Sequence, residues 1–452
     1  MVVTIVASHC VVPNQETPKV RLWLSDSDQV VRLGHTPTIY VYKAKHNTKT
    51  IERMKTSLGK ILVYYYPVAG RLNLSDSGRM ELDCNAKGVT LLEAETTKSL
   101  GDYGDFSPSE SIKEELVPQI DYTQPLEELP LLFVQLTRFK DGESFAIGVA
   151  CSHTLADGLS AIQFINSWAK VARGETLEPH EVPFLDRTVL KLQHSPSAPC
   201  FDHPELKPLP LKLGSSDSIA EENKKTCAVL LKLTPEQVGK LKKKANDQPM
   251  KEGSRVRPYS RFEAIAAHIW RCACKARELD EKQPTLVRFN GDIRSRLIPP
   301  LPRTYFGNAL AATVTPRCYV GETLSKPLSY AAQKVREAIE MLTNEYIRSQ
   351  LDIVLGEEQL DCIKALFSGQ GERRNAPFAG NPNLQITSWM SMPVYEADFG
   401  WGKPMYFGLA YVSAQDRAVI LLSPHGDGSV IVSMHFQIAH MQLFKKYFYE
   451  NI

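Results

Sequence analysis

The residues best suited to chemistry in this sequence lie in one short stretch, Ala150-Cys-Ser-His153-Thr-Leu-Ala-Asp157-Gly158. Histidine is the common side chain that takes and returns a proton near neutral pH. Asp157, four residues on, either pairs with the ring or folds away to pin the turn. The chain has no Gly-x-Ser-x-Gly elbow, no Lys-ending phosphate loop and no His-Glu-x-x-His helix. Nothing marks a covalent nucleophile or a metal-ligand set. The expectation is a histidine acting as general base on a nucleophile that the substrate brings.

Other polar residues read as structural first. His425-Gly-Asp-Gly428 lies between two strand-like runs and is ordinary hairpin chemistry. His268 sits in an alanine-rich helix and reads as a core or groove histidine. Ser260 with Glu263 three residues on is a capping box, although a helix N-terminus is also a ready anion site. Of the nine cysteines only Cys272-Ala-Cys274 is a close pair, a poor zinc site without a second ligand pair.

The elements that must position His153 follow from periodicity. Ser144 to Ala150 is an apolar strand, and Leu159, Ile162, Ile165, Trp168 and Val171 form one stripe of a helix opening near Asp157. A turn between the two fixes the histidine backbone and leaves its imidazole free to face a cleft. His35-Thr-Pro-Thr-Ile-Tyr40 begins as a turn and becomes a strand, with Thr36, Thr38 and Tyr40 sharing a face. That face is either a set of hydroxyls for a polar substrate or a solvent face. Further helices are expected over 51–63, after Thr234-Pro235, over 328–348 and over 440–449.

At 452 residues the chain suits two domains of about 200 residues each. Prolines at 179, 183, 196, 199, 204, 208 and 210 mark a crossover. The expected division is an N-terminal domain at 1–185, a crossover at 186–224 and a C-terminal domain at 225–452. The mixture of strands and helices in both halves gives a mixed α/β (α+β) fold class. A net charge of +2 gives no case for nucleic acid. Lys242, Lys243 and Lys244 read as a solvated helix face or a contact for a phosphate-bearing cofactor. No run reaches the roughly 18 apolar residues of a membrane span, and no charged leader precedes Val2 to Ala7. A cytoplasmic monomer with no membrane partner and no metal is expected.

His153-Thr-Leu-Ala-Asp157, followed far downstream by Asp398-Phe-Gly-Trp-Gly402, resembles the BAHD acyltransferases of plants. Tyr66-Pro-Val-Ala-Gly-Arg71, Tyr305-Phe-Gly-Asn308 and the terminal helix match as well, so the resemblance covers essentially the whole chain. It implies two chloramphenicol-acetyltransferase-like domains with a channel between them. His153 would be reached by acyl-CoA from one side and acceptor from the other. Asp157 would turn away from substrate to pair with Arg294, and Asp398, Gly400, Trp401 and Gly402 would form a structural loop. Thr387 or Trp389 would serve the oxyanion, and Ser260 and Arg261 would lie near the CoA co-substrate.

Within that family His35-Thr-Pro-Thr-Ile-Tyr40 and Ile386-Thr-Ser-Trp389 look like the hydroxycinnamoyl-transferring branch, in which His35, Thr36, Thr38 and Tyr40 would contact the acceptor. The resemblance implies p-coumaroyl-, caffeoyl- or feruloyl-CoA as donor. It leans to the spermidine transferases, a polyamine acceptor with Glu396 as a carboxylate for it. The alternative is a shikimate- or quinate-type acceptor held by Arg374. A remote alternative is an inactive acyl-CoA-binding homologue.

Overall fold

The computed structural model describes residues 2–29, 31, 34–45, 48–191, 201–247, 257–353, 380–412, 415–450 and 452. Arg374 lies outside the described residues. Two six-stranded sheets organise the rest. Their strands in chain order are β1 Val3–Val11, β2 His35–Tyr42, β3 Val89–Thr96, β4 Leu132–Arg138, β5 Phe145–Ser152 and β6 Thr226–Leu233. There follow β7 Val287–Asp292, β8 Leu310–Val314, β9 Leu384–Ser388, β10 Tyr406–Leu409, β11 Arg417–Leu422 and β12 Val430–Gln437.

The first sheet runs β1-β3-β4-β5-β2-β10 and the second β8-β7-β9-β11-β12-β6. Central strands β4 and β5 are almost wholly buried apolar runs, as strands covered on both faces must be. They form the expected hairpin: Asp141 accepts the backbone N–H groups of Glu143 and Ser144, and Gly142 takes φ 66°. β5 has a glycine at 148 because the backbone of residues 116–117 presses on it. A Cβ there would stand 1.8 Å from the Leu116 carbonyl oxygen.

Helices cover the sheets where the apolar stripes require. α1 (Thr48–Tyr64) and α2 (Gly158–Ala172) pack together, and Trp168 of α2 donates its indole N–H to Ser57 of α1 at 3.0 Å. On the second sheet lie α3 (Pro235–Asn246), α4 (Arg261–Ala276), α5 (Leu328–Met341) and α6 (Ile438–Tyr449). The expected single helix over 328–348 is broken. It stops at Met341, and Thr343 caps a new helix, Asn344–Ile353, by accepting from the Tyr346 N–H at 3.2 Å.

The packing departs from the division expected along the chain. β10, from the C-terminal half, completes the first sheet by pairing with β2, Tyr406 opposite Val41 and Leu409 opposite Thr38. Val394, Ala397, Phe399, Phe407 and Ala410 are buried in the core of the first sheet. Residues 394–410 are thus lent by the second half to the first. The apolar run Tyr406-Phe-Gly-Leu409 marks a strand, and no local pattern says which sheet it joins.

Candidate active site

β5 ends at Ser152, the chain turns through residues 153–157, and α2 begins at Gly158. His153 is half-buried in that turn, and its backbone N–H donates to the Gly34 carbonyl at 2.9 Å, just ahead of β2. Asp157 is the N-cap of α2, accepting the Ser160 N–H at 2.9 Å. Its carboxylate also meets Arg294, with Nη1 at 2.9 Å from Oδ2 and Nη2 at 3.0 Å from Oδ1. The Ala309 N–H fills the remaining site on Oδ2 at 3.0 Å. Both oxygens of Asp157 are therefore occupied by donors from residues 160, 294 and 309. Burial works to lower the Arg294 pKa, but Asp157 and Asp292 beside it outweigh that and raise it.

A second buried group sits on the same turn. Asn308 donates its side-chain N–H to the His153 carbonyl at 2.8 Å and to Asp28 Oδ1 at 2.9 Å. Arg187 donates to the Leu155 carbonyl at 2.6 Å and lies 3.1 Å from Asp28 Oδ1. Asp28, Arg187 and Asn308 are all buried. Ser25 and Asp28 cap the short helix Asp26–Gln29 between them, and nothing in the sequence attaches chemistry to Arg187. Arg187 carries no local signal, because its partners are far away in the chain. Cys151 precedes the turn, and burial pushes its thiol up to about 12, which removes it as a thiolate nucleophile near pH 7.

Thr387 lies on β9 opposite Val419, and Trp389 follows, its N–H held by the Ile420 carbonyl at 2.8 Å. The indole Nε1 comes 3.6 Å from where a Cβ on Gly158 would stand, so Trp389 reaches the start of α2. Its ring continues through Phe407 (5.7 Å) to Tyr40 (4.6 Å from Phe407). Trp389 thus joins the second sheet to the first beside the histidine turn. Thr36 and Thr38 are partly exposed on β2, Thr38 donating to the Val149 carbonyl at 3.4 Å, while Tyr40 is buried and its pKa raised by burial.

Two acceptor-binding expectations need correction. His35 is buried with its ring nitrogens engaged, Nδ1 3.1 Å from the Tyr122 hydroxyl and Nε2 2.9 Å from the Pro130 carbonyl. Strand alternation sends it to the face opposite Thr36. It braces the 122–130 segment rather than offering a free nitrogen. Glu396 is exposed and paired with Lys403 at 2.7 Å, a surface ion pair. Its neighbourhood follows residues 394–410 to the first core, and its carboxylate is spent on that lysine.

The 398–402 loop is held by its own backbone and by the far end of α2. Asp398 Oδ1 accepts the Gly400 and Gly402 N–H groups at 2.8 and 2.9 Å, both glycines having φ 100°. Arg173 donates to the Asp398 carbonyl, and Phe399 meets Trp168 edge-on at 5.0 Å. Trp401 stacks on Phe399. The start and end of α2 lie roughly 20 Å apart at 1.5 Å per residue, so this loop does not touch the histidine turn.

Ser260 caps α4: its hydroxyl accepts the Glu263 N–H at 3.2 Å, and Glu263 accepts the Ser260 N–H in return. Burial works to raise Glu263, but Arg336 and Ser260 hold it down to about 2. Arg261 is exposed at the first helical position. His268, further along α4, is buried with Nε2–H donating to the Phe448 carbonyl at 2.8 Å. Among the described residues no group of histidine, cysteine and acidic side chains could hold a metal, and no helix is long and apolar enough to cross a membrane.

This fold and turn are those of an acyl-CoA-dependent acyltransferase. The chain matches the Transferase family model over residues 1–451 and belongs to that family, the BAHD acyltransferases. It is 43% identical to a hydroxycinnamoyl-CoA:piscidic acid hydroxycinnamoyltransferase of Actaea racemosa, covering 99% of each chain. It is 40% identical to shikimate O-hydroxycinnamoyltransferase of Nicotiana tabacum over 100% of both. A hydroxycinnamoyl-CoA:5-hydroxyanthranilate N-hydroxycinnamoyltransferase of Avena sativa is 37% identical over 100% of both. Vinorine synthase shares the fold, with TM-score 0.71 at 22% identity over 98% of this chain and 96% of that one. These relatives are named as hydroxycinnamoyltransferases, and within the family the chain is an acyltransferase that uses an acyl-CoA and a small-molecule acceptor.

Proposed function

We propose that the chain transfers a hydroxycinnamoyl group from CoA to the hydroxyl of a small hydroxy acid, of the shikimate or quinate type, with His153 as general base. The observation that carries the base assignment is the occupancy of Asp157. Its two oxygens are filled by Arg294, Ser160 and Ala309, so it is not the orienting carboxylate of a nucleophile–histidine–acid relay. The proton that His153 takes is then the acceptor's own.

The acceptor oxygen forms a bond to the thioester carbonyl carbon as its proton passes to the imidazole. The carbonyl oxygen becomes an oxyanion, for which Thr387 and Trp389 are the candidate donors. Collapse breaks the C–S bond, and the leaving thiolate recovers the proton from the imidazolium. Ser260 and Arg261, at the start of α4, are candidate contacts for the CoA phosphates. Asp398, Gly400, Trp401 and Gly402 serve the fold.

The choice of an acid acceptor has two supports. The relatives are named for piscidic acid, shikimate and 5-hydroxyanthranilate, all carboxylic acids. The acidic residue expected to serve a polyamine, Glu396, is an exposed partner of Lys403. Arg374 is the candidate cation for the acceptor carboxylate, in the manner of a bidentate arginine clamp. The enzyme works in the cytoplasm on this reading.

Mass spectrometry of products from p-coumaroyl-CoA with shikimate, quinate and spermidine present together tests the acceptor class. An ester of one of the hydroxy acids is expected. Coumaroyl-spermidine as the main product sinks the acid reading and restores the polyamine.

A further inference from the structure

The turn that carries His153 is gripped on its backbone by two buried side chains, which a third holds in place, and the three come from three distant segments. Asp28 comes from the short helix Asp26–Gln29, Arg187 from the first turn of the crossover and Asn308 from the approach to β8. Asp28 Oδ1 is the hub. It accepts the Asn308 backbone N–H and side-chain N–H, each at 2.9 Å, and faces Arg187 Nη1 at 3.1 Å. Oδ2 accepts the N–H and hydroxyl of Ser25 at 2.9 and 2.7 Å. So fixed, Asn308 donates to the His153 carbonyl and Arg187 to the Leu155 carbonyl.

The local backbone is shaped to admit this group. Phe184 and Tyr305 bridge like neighbouring strands, with Phe184 N–H donating to the Thr304 carbonyl and Phe306 N–H to the Phe184 carbonyl, both at 2.9 Å. That brings Arg187 beside Gly307, where a Cβ would stand 3.2 Å from the guanidinium carbon. Desolvating an aspartate and an arginine is costly, and a pair of apolar side chains would fill the same space at least as stably. What apolar residues cannot do is hold two carbonyls of the turn in fixed positions.

We propose that Asn308, with Asp28 and Arg187 behind it, is a positioning residue for the transfer reaction: it fixes the His153 peptide, and through it the imidazole, against the acceptor hydroxyl. This rests on His153 being the base. A carbonyl held at 2.8 Å restricts the rotation of the peptide plane, and with the His153 N–H tied to the Gly34 carbonyl both sides of the residue are pinned. The Asp157–Arg294 pair anchors the other end of the turn, so residues 153–157 are clamped at both ends by buried carboxylate–arginine pairs. Loss of about an ångström of placement at a reacting group costs on the order of a hundredfold in rate.

The test compares Asn308→Ala, Asp28→Asn and His153→Ala with the wild type, using p-coumaroyl-CoA and whichever acceptor the product assay selects. Asn308→Ala is expected to lower kcat about 30- to 100-fold with KM for p-coumaroyl-CoA within about twofold. Asp28→Asn keeps the shape and one acceptor oxygen but sets an amide N–H against a donor, and is expected to lower kcat about 3- to 10-fold, again at unchanged KM. Folded Asn308→Ala with wild-type kcat, its only change a lower melting temperature, overturns the proposal. So does a KM that rises in step with the loss of kcat. If Asn308→Ala does not fold, the isosteric Asp28→Asn decides, wild-type kcat in that variant being the contrary result. Turnover by His153→Ala would instead remove the base reading itself, so the two failures are told apart.

Discussion

Asp157→Asn changes one atom of a carboxylate that receives four donors. Oδ1 accepts from the Ser160 N–H and Arg294 Nη2, Oδ2 from Arg294 Nη1 and the Ala309 N–H. Whichever oxygen becomes an amide nitrogen, two N–H groups face a donor in a buried site. Arg294 would keep only Asp292 as a charged partner, 3.1 Å away and half exposed. Breaking a buried pair by removing one partner costs about 3–5 kcal/mol. Because Asp292 still compensates Arg294, the lower end applies, and we expect about 3 kcal/mol. A double-mutant cycle with Asp157→Asn, Arg294→Met and both together, read by urea unfolding of the first transition, isolates the pair. A coupling energy of at least about 2 kcal/mol is expected, with the double variant more stable than Asp157→Asn alone. Coupling below about 0.5 kcal/mol, the scale of an exposed pair, would refute the reasoning.

Two further outcomes follow from packing and burial. Gly148→Ala drives a Cβ against the Leu116 carbonyl oxygen, a backbone atom that cannot swing away, so a loss of at least about 3 kcal/mol or failure to fold is expected from denaturant titration. His268 is pushed down to about 4 by burial, from an ordinary value of 6.5. The unfolded chain binds that proton first, so the stability this neutral histidine contributes is full above about pH 6.5 and is lost as pH falls toward 4. Urea midpoints of the wild type should show about 1 kcal/mol of this loss between pH 7.5 and 5.5. His268→Gln, which keeps an N–H for Phe448, should lack that component, and an identical pH slope in the two proteins would contradict the assignment.

What the sequence made legible was local. The strand–turn–helix around His153, the proline-led helix start after Thr234 and the capping box at Ser260 are set by residues within a few positions of one another, and the structure shows each of them. The resemblance supplied the Asp157–Arg294 pair across 137 positions. Long-range placement was not legible. β10 is a short apolar run and gives no sign that it joins the sheet of the other half. His35 has the residue type for substrate contact, and only the register with β5 reveals that its ring is spent on Tyr122 and Pro130. Arg187 sits in a proline-rich crossover that reads as linker, yet it is buried because Asp28 and Leu155 are brought to it by the fold. Glu396 illustrates the converse, a carboxylate chosen for its charge that the chain spends on a surface lysine.

The most direct test of the central claim is CoA release by His153→Ala, followed with a thiol reagent alongside p-coumaroyl-CoA binding and circular dichroism. With a base worth about 10²- to 10⁴-fold, turnover should fall by at least a hundredfold while fold and acyl-CoA affinity stay at wild-type levels. A folded variant that binds the thioester and releases CoA within tenfold of the wild-type rate would contradict the assignment of His153 as the base.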